Sequence, residues 1–159
     1  VVALGVPLYL QLGTIRKQLV PILLSELAGC VVGILSVVYI AKEMGATPDV
    51  IRSLAPKSVT TPIAMEVTKA VGGIPSLTAA VVVCVGLMCA VCGYKTMGFA
   101  RVKSPVAQGL SMGTAAHALG TATSMDVSRV HGAYASLGLT LNGIFTALLT
   151  PSILPMLNI

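Results

Sequence analysis

Ser53-Leu54-Ala55-Pro56-Lys57-Ser58-Val59-Thr60-Thr61-Pro62-Ile63-Ala64 is the stretch on which the fold turns. It lies in a mostly apolar run, Val50 to Val71, of a length that enters a membrane, yet two prolines and a lysine interrupt it. Proline lacks the amide hydrogen that a helix interior needs and clashes with the preceding turn. The run therefore reads as two short half-helices meeting at a polar middle, with breaks at Pro56 and Pro62. A second run, Pro105 to Met125, has the same character: Gly109, Gly113, His117 and Gly120 interrupt it, with Gly113 and Gly120 as the expected breaks. The two runs align weakly. Ser53 matches Ser111 and Ala64 matches Ala122, while Thr61 falls opposite Leu119. Each is followed by a long apolar segment carrying a Ser-Leu pair near its start, Ser76-Leu77 and Ser136-Leu137. The shared order carries more weight than the residue matches.

Composition says what these runs enter. Of 159 residues, 55% are hydrophobic and 9% charged, where a soluble domain carries about 25% charged residues. So few charges cannot cover a water-facing surface, and the chain reads as an all-α, multi-pass integral membrane protein. Disorder, a coiled coil, a secreted disulfide scaffold and a DNA-binding domain are excluded. The formal charge of +5 points to no nucleic acid, because the basic residues flank apolar runs, where they mark the cytoplasmic side.

A hydrocarbon core of about 30 Å takes roughly 20 helical residues. Leu19 to Ala41 meets this with Glu26 as its only interior charge near the start, and Ile74 to Gly93 and Gly132 to about Leu157 meet it uncharged. The chain opens Val1-Val2-Ala3-Leu4-Gly5, already inside an apolar run. Val1 to Leu12 reads as half of a span belonging to a longer protein.

The loop from Tyr94 to Ser104 holds Lys95, Arg101 and Lys103 and no acid, and Arg16-Lys17 is likewise purely basic; both are assigned to the cytoplasmic side. Two full crossings between them return the chain to one side, whereas three do not. Val50–Val71 is therefore expected to be a re-entrant hairpin from the outer face. Pro105–Met125 is expected to enter from the cytoplasmic face, with Arg129 inside. Irregular backbone at membrane depth survives only where protein or a water-filled cavity satisfies it. The expected architecture is a helical bundle with two inverted repeats, about residues 19–96 and 105–159 of one domain, each a broken hairpin followed by a transmembrane helix. Paired, Pro/Gly-interrupted segments in two halves point to a transporter's binding site, and half-helix N-termini there favour an anion.

Lys57, among the hydroxyls of Ser58, Thr60 and Thr61, suits a carboxylate substrate, since a lysine at membrane depth is costly and marks function by default; the alternative is an anchor snorkelling to headgroups. On the second hairpin Thr114, His117 and Thr121 are the matching candidates. Histidine titrates in the physiological range, so His117 could carry a coupled proton, or equally make a structural hydrogen bond between helices. Glu66 is a second proton-coupling candidate, although its spacing from Lys69 suits a local ion pair. His131, beside Arg129, reads as a solvated loop residue. Thr140 and Asn142 are candidates for hydrogen bonds between helices, and Gly29 and Gly33 form a G-x-x-x-G that suits close packing. Cys30, Cys84, Cys89 and Cys92 read as small apolar residues; Cys89 and Cys92 have C-x-x-C spacing without a second pair to complete a zinc site. No catalytic constellation, phosphate loop, metal site or cofactor motif is present.

The chain resembles the LrgB/CidB family of bacterial inner-membrane proteins. The resemblance rests on Val2-Ala3-Leu4-Gly5-Val6-Pro7-Leu8-Tyr9, on Leu54 to Ala64, and on Gly113-Thr114-Ala115-Ala116-His117-Ala118-Leu119-Gly120-Thr121-Ala122, with Gly72-Gly73-Ile74-Pro75 and Gly143 in support. It covers essentially the whole chain and implies its C-terminal place in a longer protein. It implies two functions. One is holin/antiholin-like control of murein hydrolase export and autolysis with a small LrgA/CidA-type partner. The other is transport of small carboxylates, pyruvate in bacteria or glycolate and glycerate in plastid relatives. Two opposed hairpins presenting a lysine and a histidine favour the transporter, as a homo-oligomer in the bilayer; a pore needs only oligomerising helices. A non-transporting scaffold for the partner is the third reading.

Overall fold

The computed structural model describes residues 12–159. The expected half-span at Val1–Leu12 lies outside these residues, save Leu12 itself, where a short helix begins. In chain order the helices are α1 (Leu12–Lys17), α2 (Leu19–Glu43), α3 (Pro48–Leu54), α4 (Thr61–Ala70), α5 (Pro75–Phe99), α6 (Pro105–Val127) and α7 (Arg129–Met156). No strand occurs among the described residues. Among the described residues, three helices are long and apolar enough to cross a membrane: α2, α5 and α7. They coincide with the three uninterrupted apolar runs. Pro48, Pro62, Pro75 and Pro105 each stand in the first turn of a helix, where the missing amide hydrogen costs nothing.

Contacts along the chain set the helix directions. Ile22 packs with Tyr134 near the start of α7, Cys30 meets Thr146, and Val38 packs with Leu154 near its end. Helices α2 and α7 therefore run the same way. Helix α5 runs opposite, since Tyr94 near its end stacks edge-on against His131 near the start of α7, with ring centroids 5.9 Å apart.

Helices α3 and α4 form a hairpin. Ser53 on the inbound arm and Thr68 on the outbound arm meet at Thr78 of α5: the Thr78 hydroxyl donates to the Ser53 carbonyl at 2.9 Å and lies 2.8 Å from the Thr68 hydroxyl. The amide of Ile74 donates to Ser53 Oγ at 2.7 Å. This hairpin sits beside the start of α5 and the end of α7, where Ile51 and Ala55 pack with Val38, Ala41 and Leu154.

Helix α6 also reverses on itself. In a straight helix residues 112 and 120 stand about 12 Å apart along the axis. Here a Cβ on Gly120 would lie 2.5 Å from the Met112 carbonyl oxygen, so the arms before and after His117 pack against each other. Both reach one residue of α7: Gly113 lies against the Ala135 backbone, and the Thr121 hydroxyl is 3.4 Å from the Ala135 carbonyl. The turn is His117 itself, at φ 44° and ψ −132°, a backbone region that residues other than glycine rarely adopt. That corrects the expectation of breaks at Gly113 and Gly120, which instead let the backbones approach closely.

The base of this second hairpin is tied at the end of α5. The Tyr94 hydroxyl donates to Ser124 Oγ at 2.9 Å, and Gln108 bridges the Val102 carbonyl at 2.7 Å and His131 Nε2 at 2.9 Å. His131 is buried, its other ring nitrogen 2.7 Å from Ser128 Oγ. The expectation of a solvated His131 fails because α5 and α6 close over it.

Candidate functional site

The hairpin tips converge halfway along α7. The side-chain amide of Asn142 donates to the Ser58 carbonyl in the first tip and to the Thr114 carbonyl in the second hairpin, each at 2.9 Å. Val82 of α5 lies between them, packed with Val59 and Ala64 and accepting from His117 Nε2 at 2.9 Å. A buried carbonyl without a donor costs about 1–3 kcal/mol. Asn142 thus satisfies carbonyls beside the two breaks, while His117 ties the second tip to a carbonyl of the continuous helix α5.

Between α2, the first tip, the inbound arm of the second hairpin and α7 lies a cavity of about 790 Å³. Its polar wall includes Glu26, Lys57, Ser58, Ser111, Thr114 and Asn142, against an apolar remainder such as Ile22, Ile34 and Leu110. Lys57 is half-buried and its ammonium donates to Ser58 Oγ at 3.2 Å. Among the described residues the ion pairs are Arg52–Asp49 at 3.2 Å and Lys69–Glu66 at 2.6 Å, both exposed and at the base of the first hairpin. Lys57 takes part in neither.

Of the substrate-binding candidates read from the sequence, Lys57, Ser58 and Thr114 line this cavity. Thr60 and Thr61 open α4, the former as its N-cap without a side-chain cap bond. His117 faces α5, with its ring filling the space left by Gly86. The Thr121 hydroxyl donates back to the His117 carbonyl at 2.9 Å. Pro56 lies in the turn at the first tip. Cys30 lies 3.4 Å from the Thr146 hydroxyl. No group of three or more metal-ligating side chains occurs among the described residues.

Glu26 is the wall residue that sequence reasoning passed over. It is 2% exposed, and Thr114 Oγ1 stands 2.8 Å from its Oε1 and 2.6 Å from its Oε2. The signal was available: a carboxyl inside a membrane span is a functional candidate on the same ground as Lys57.

The LrgB-like family model matches residues 1–156. The chain belongs to the LrgB-like family. A Haemophilus influenzae relative, described as an uncharacterized protein, is 40% identical over 99% of this chain and 68% of its own. Antiholin-like protein LrgB of Bacillus cereus and that of Bacillus anthracis are each 33% identical over the same shares. No solved structure matches. Membership of the LrgB-like family and three apolar helices of spanning length make this a membrane protein.

Proposed function

We propose that this chain forms the core of a transporter for small carboxylates, of the size and charge of pyruvate or glycolate, in a bacterial inner membrane. The observation that carries the reading is the cavity where the two hairpins meet, with Lys57 and Ser58 on one side and Thr114 on the other. Substrate pockets run to about 300–1,000 Å³ and are mostly apolar with a few placed polar groups. A carboxylate of two or three carbons fits such a space together with water. Lys57 supplies the charge, hydroxyls supply directional donors, and the N-terminus of α4, opening a few residues beyond Lys57, adds a favourable dipole for an anion.

The two hairpin-plus-helix units, about residues 19–96 and 105–159, act in this reading as inverted repeats. Support comes from the opposite directions of α5 and α7 and from hairpin bases at opposite ends of the bundle. Rocking one unit against the other around Lys57 would open the cavity alternately to each side.

A second reading, an antiholin-like regulator or pore controlling murein hydrolase export with an LrgA/CidA-type partner, is favoured by the names of the Bacillus relatives. Changed carboxylate flux could itself alter autolysis, so the names sit within the first reading as a downstream effect. The full-length protein in liposomes separates the two. Saturable uptake of labelled pyruvate or glycolate that requires Lys57 supports transport. Unselective dye leakage indifferent to Lys57 supports the pore, and partner binding without either flux supports a scaffold.

A further inference from the structure

Glu26 lies about 10 Å along α2 from its start, at 1.5 Å per residue. Three oxygens crowd one hydroxyl beside it: Thr114 Oγ1 is 2.6 Å and 2.8 Å from the two Glu26 oxygens and 2.7 Å from the Leu110 carbonyl. A threonine hydroxyl has one hydrogen to give and can accept in return. With an ionised Glu26, that single hydrogen serves one neighbour, and the remaining short contacts are bare oxygen against oxygen. With a protonated Glu26, the carboxyl donates to Thr114 Oγ1 and Thr114 donates to the Leu110 carbonyl, which reduces the bare contacts from two to one, that of the second carboxyl oxygen. Hydrogen thus lies along the chain from Glu26 to Leu110. Burying an ionised carboxylate also costs several kcal/mol unless a cation compensates it, and no described cation lies within ion-pair distance.

We infer that Glu26 is a proton-carrying carboxyl of the transport cycle, loaded as the acid through Thr114 and released into the cavity that holds the substrate. The inference rests on the carboxylate-transport reading and adds its coupling ion. Glu26 shares the cavity wall with Lys57, whereas Glu66 is exposed and paired with Lys69, and the His117 ring is engaged by α5. A monocarboxylate carried with one proton moves no net charge, so the cycle runs independently of membrane voltage. The titratable groups facing Glu26 are Cys30 on its own helix and, across the cavity, Lys57 from the first hairpin; α6 presents Thr114 and α7 presents Gly138, neither of which titrates. Space is tight as well: a Cβ on Gly138 would stand 2.8 Å from the Leu110 carbonyl, 3.1 Å from Glu26 Oε1 and 3.2 Å from Thr114 Oγ1, so a larger residue there crowds the whole chain of contacts.

Glu26→Gln keeps the shape and an N–H donor for Thr114 but holds the site permanently neutral. In liposomes of the full-length protein, this variant is expected to lose all stimulation of net carboxylate uptake by an inward proton gradient. Difference infrared spectroscopy of the purified protein supplies a readout that needs no transport: a protonated-carboxyl C=O band at neutral pH, absent from Glu26→Gln. A band unchanged by the substitution, or gradient-driven uptake unchanged in the variant, overturns the inference even if wild-type protein transports. A wild-type protein without carboxylate flux overturns the transport reading and with it the coupling role of Glu26. The band, if present and lost in the variant, would then still establish the buried acid.

Discussion

The side-chain amide of Asn142 reaches the backbone carbonyl of Ser58 at 2.9 Å across a separation of 84 residues in the chain. Its other hydrogen bond, to the Thr114 carbonyl, makes one side chain the link between both broken hairpins. Asn142→Leu leaves two interior carbonyls without that donor, each costing about 1–3 kcal/mol. The expected result is a marked loss of stability in denaturant unfolding of the detergent-purified protein. An unchanged midpoint would mean that the tips are held by other contacts.

The glycines of this bundle are not equivalent. A Cβ on Gly86 would lie 2.5–2.6 Å from the His117 ring, while one on Gly33 would meet nothing within 4 Å. Gly86→Ala is therefore expected to push the ring off the Val82 carbonyl and to destabilise by about 1–3 kcal/mol. Gly33→Ala, relieved of glycine's backbone entropy, is expected to be neutral or to gain up to about 1 kcal/mol. Parallel thermal unfolding of the two variants checks the contrast.

Topology gives a third test. Lys69, on the outer arm of the first hairpin, and Arg101, in the basic loop before the second, are both exposed and lie toward opposite ends of the bundle. In a background whose native cysteines are replaced, Lys69→Cys is expected to react with a membrane-impermeant maleimide added outside. Arg101→Cys is expected to react only once the cytoplasmic face is opened. Labelling of both from one side would contradict opposed hairpins.

The long helices were legible because hydropathy sums over some twenty side chains, and no single contact can overturn it. Leu19 to Ala41 and Ile74 to Gly93 became α2 and α5 with their ends extended by a few residues. The hairpins were legible from Pro56, Pro62 and the glycines as places where a straight span fails. What could not be read was which residue turns. His117 adopts φ 44° because α5 offers its ring the Val82 carbonyl and the gap at Gly86, and that pairing spans 35 residues. Glu26 was legible as a charge inside a span, but its partner was not, since the Thr114 hydroxyl stands 88 residues away. The burial of His131 depends on Gln108 and Tyr94, and a local reading sees only the adjacent Arg129.

The most direct measurement is uptake of labelled pyruvate or glycolate into liposomes holding the full-length protein, compared with Lys57→Ala and Lys57→Arg. Truncating one partner of a buried, hydrogen-bonded charge pair costs about 2–5 kcal/mol, and 1.4 kcal/mol is tenfold. Lys57→Ala is expected to reduce carboxylate uptake by about thirtyfold or more, while Lys57→Arg retains a measurable part and all three proteins exclude a neutral dye. Uptake by Lys57→Ala equal to that of the unmodified protein would contradict the assignment of this cavity as the carboxylate site.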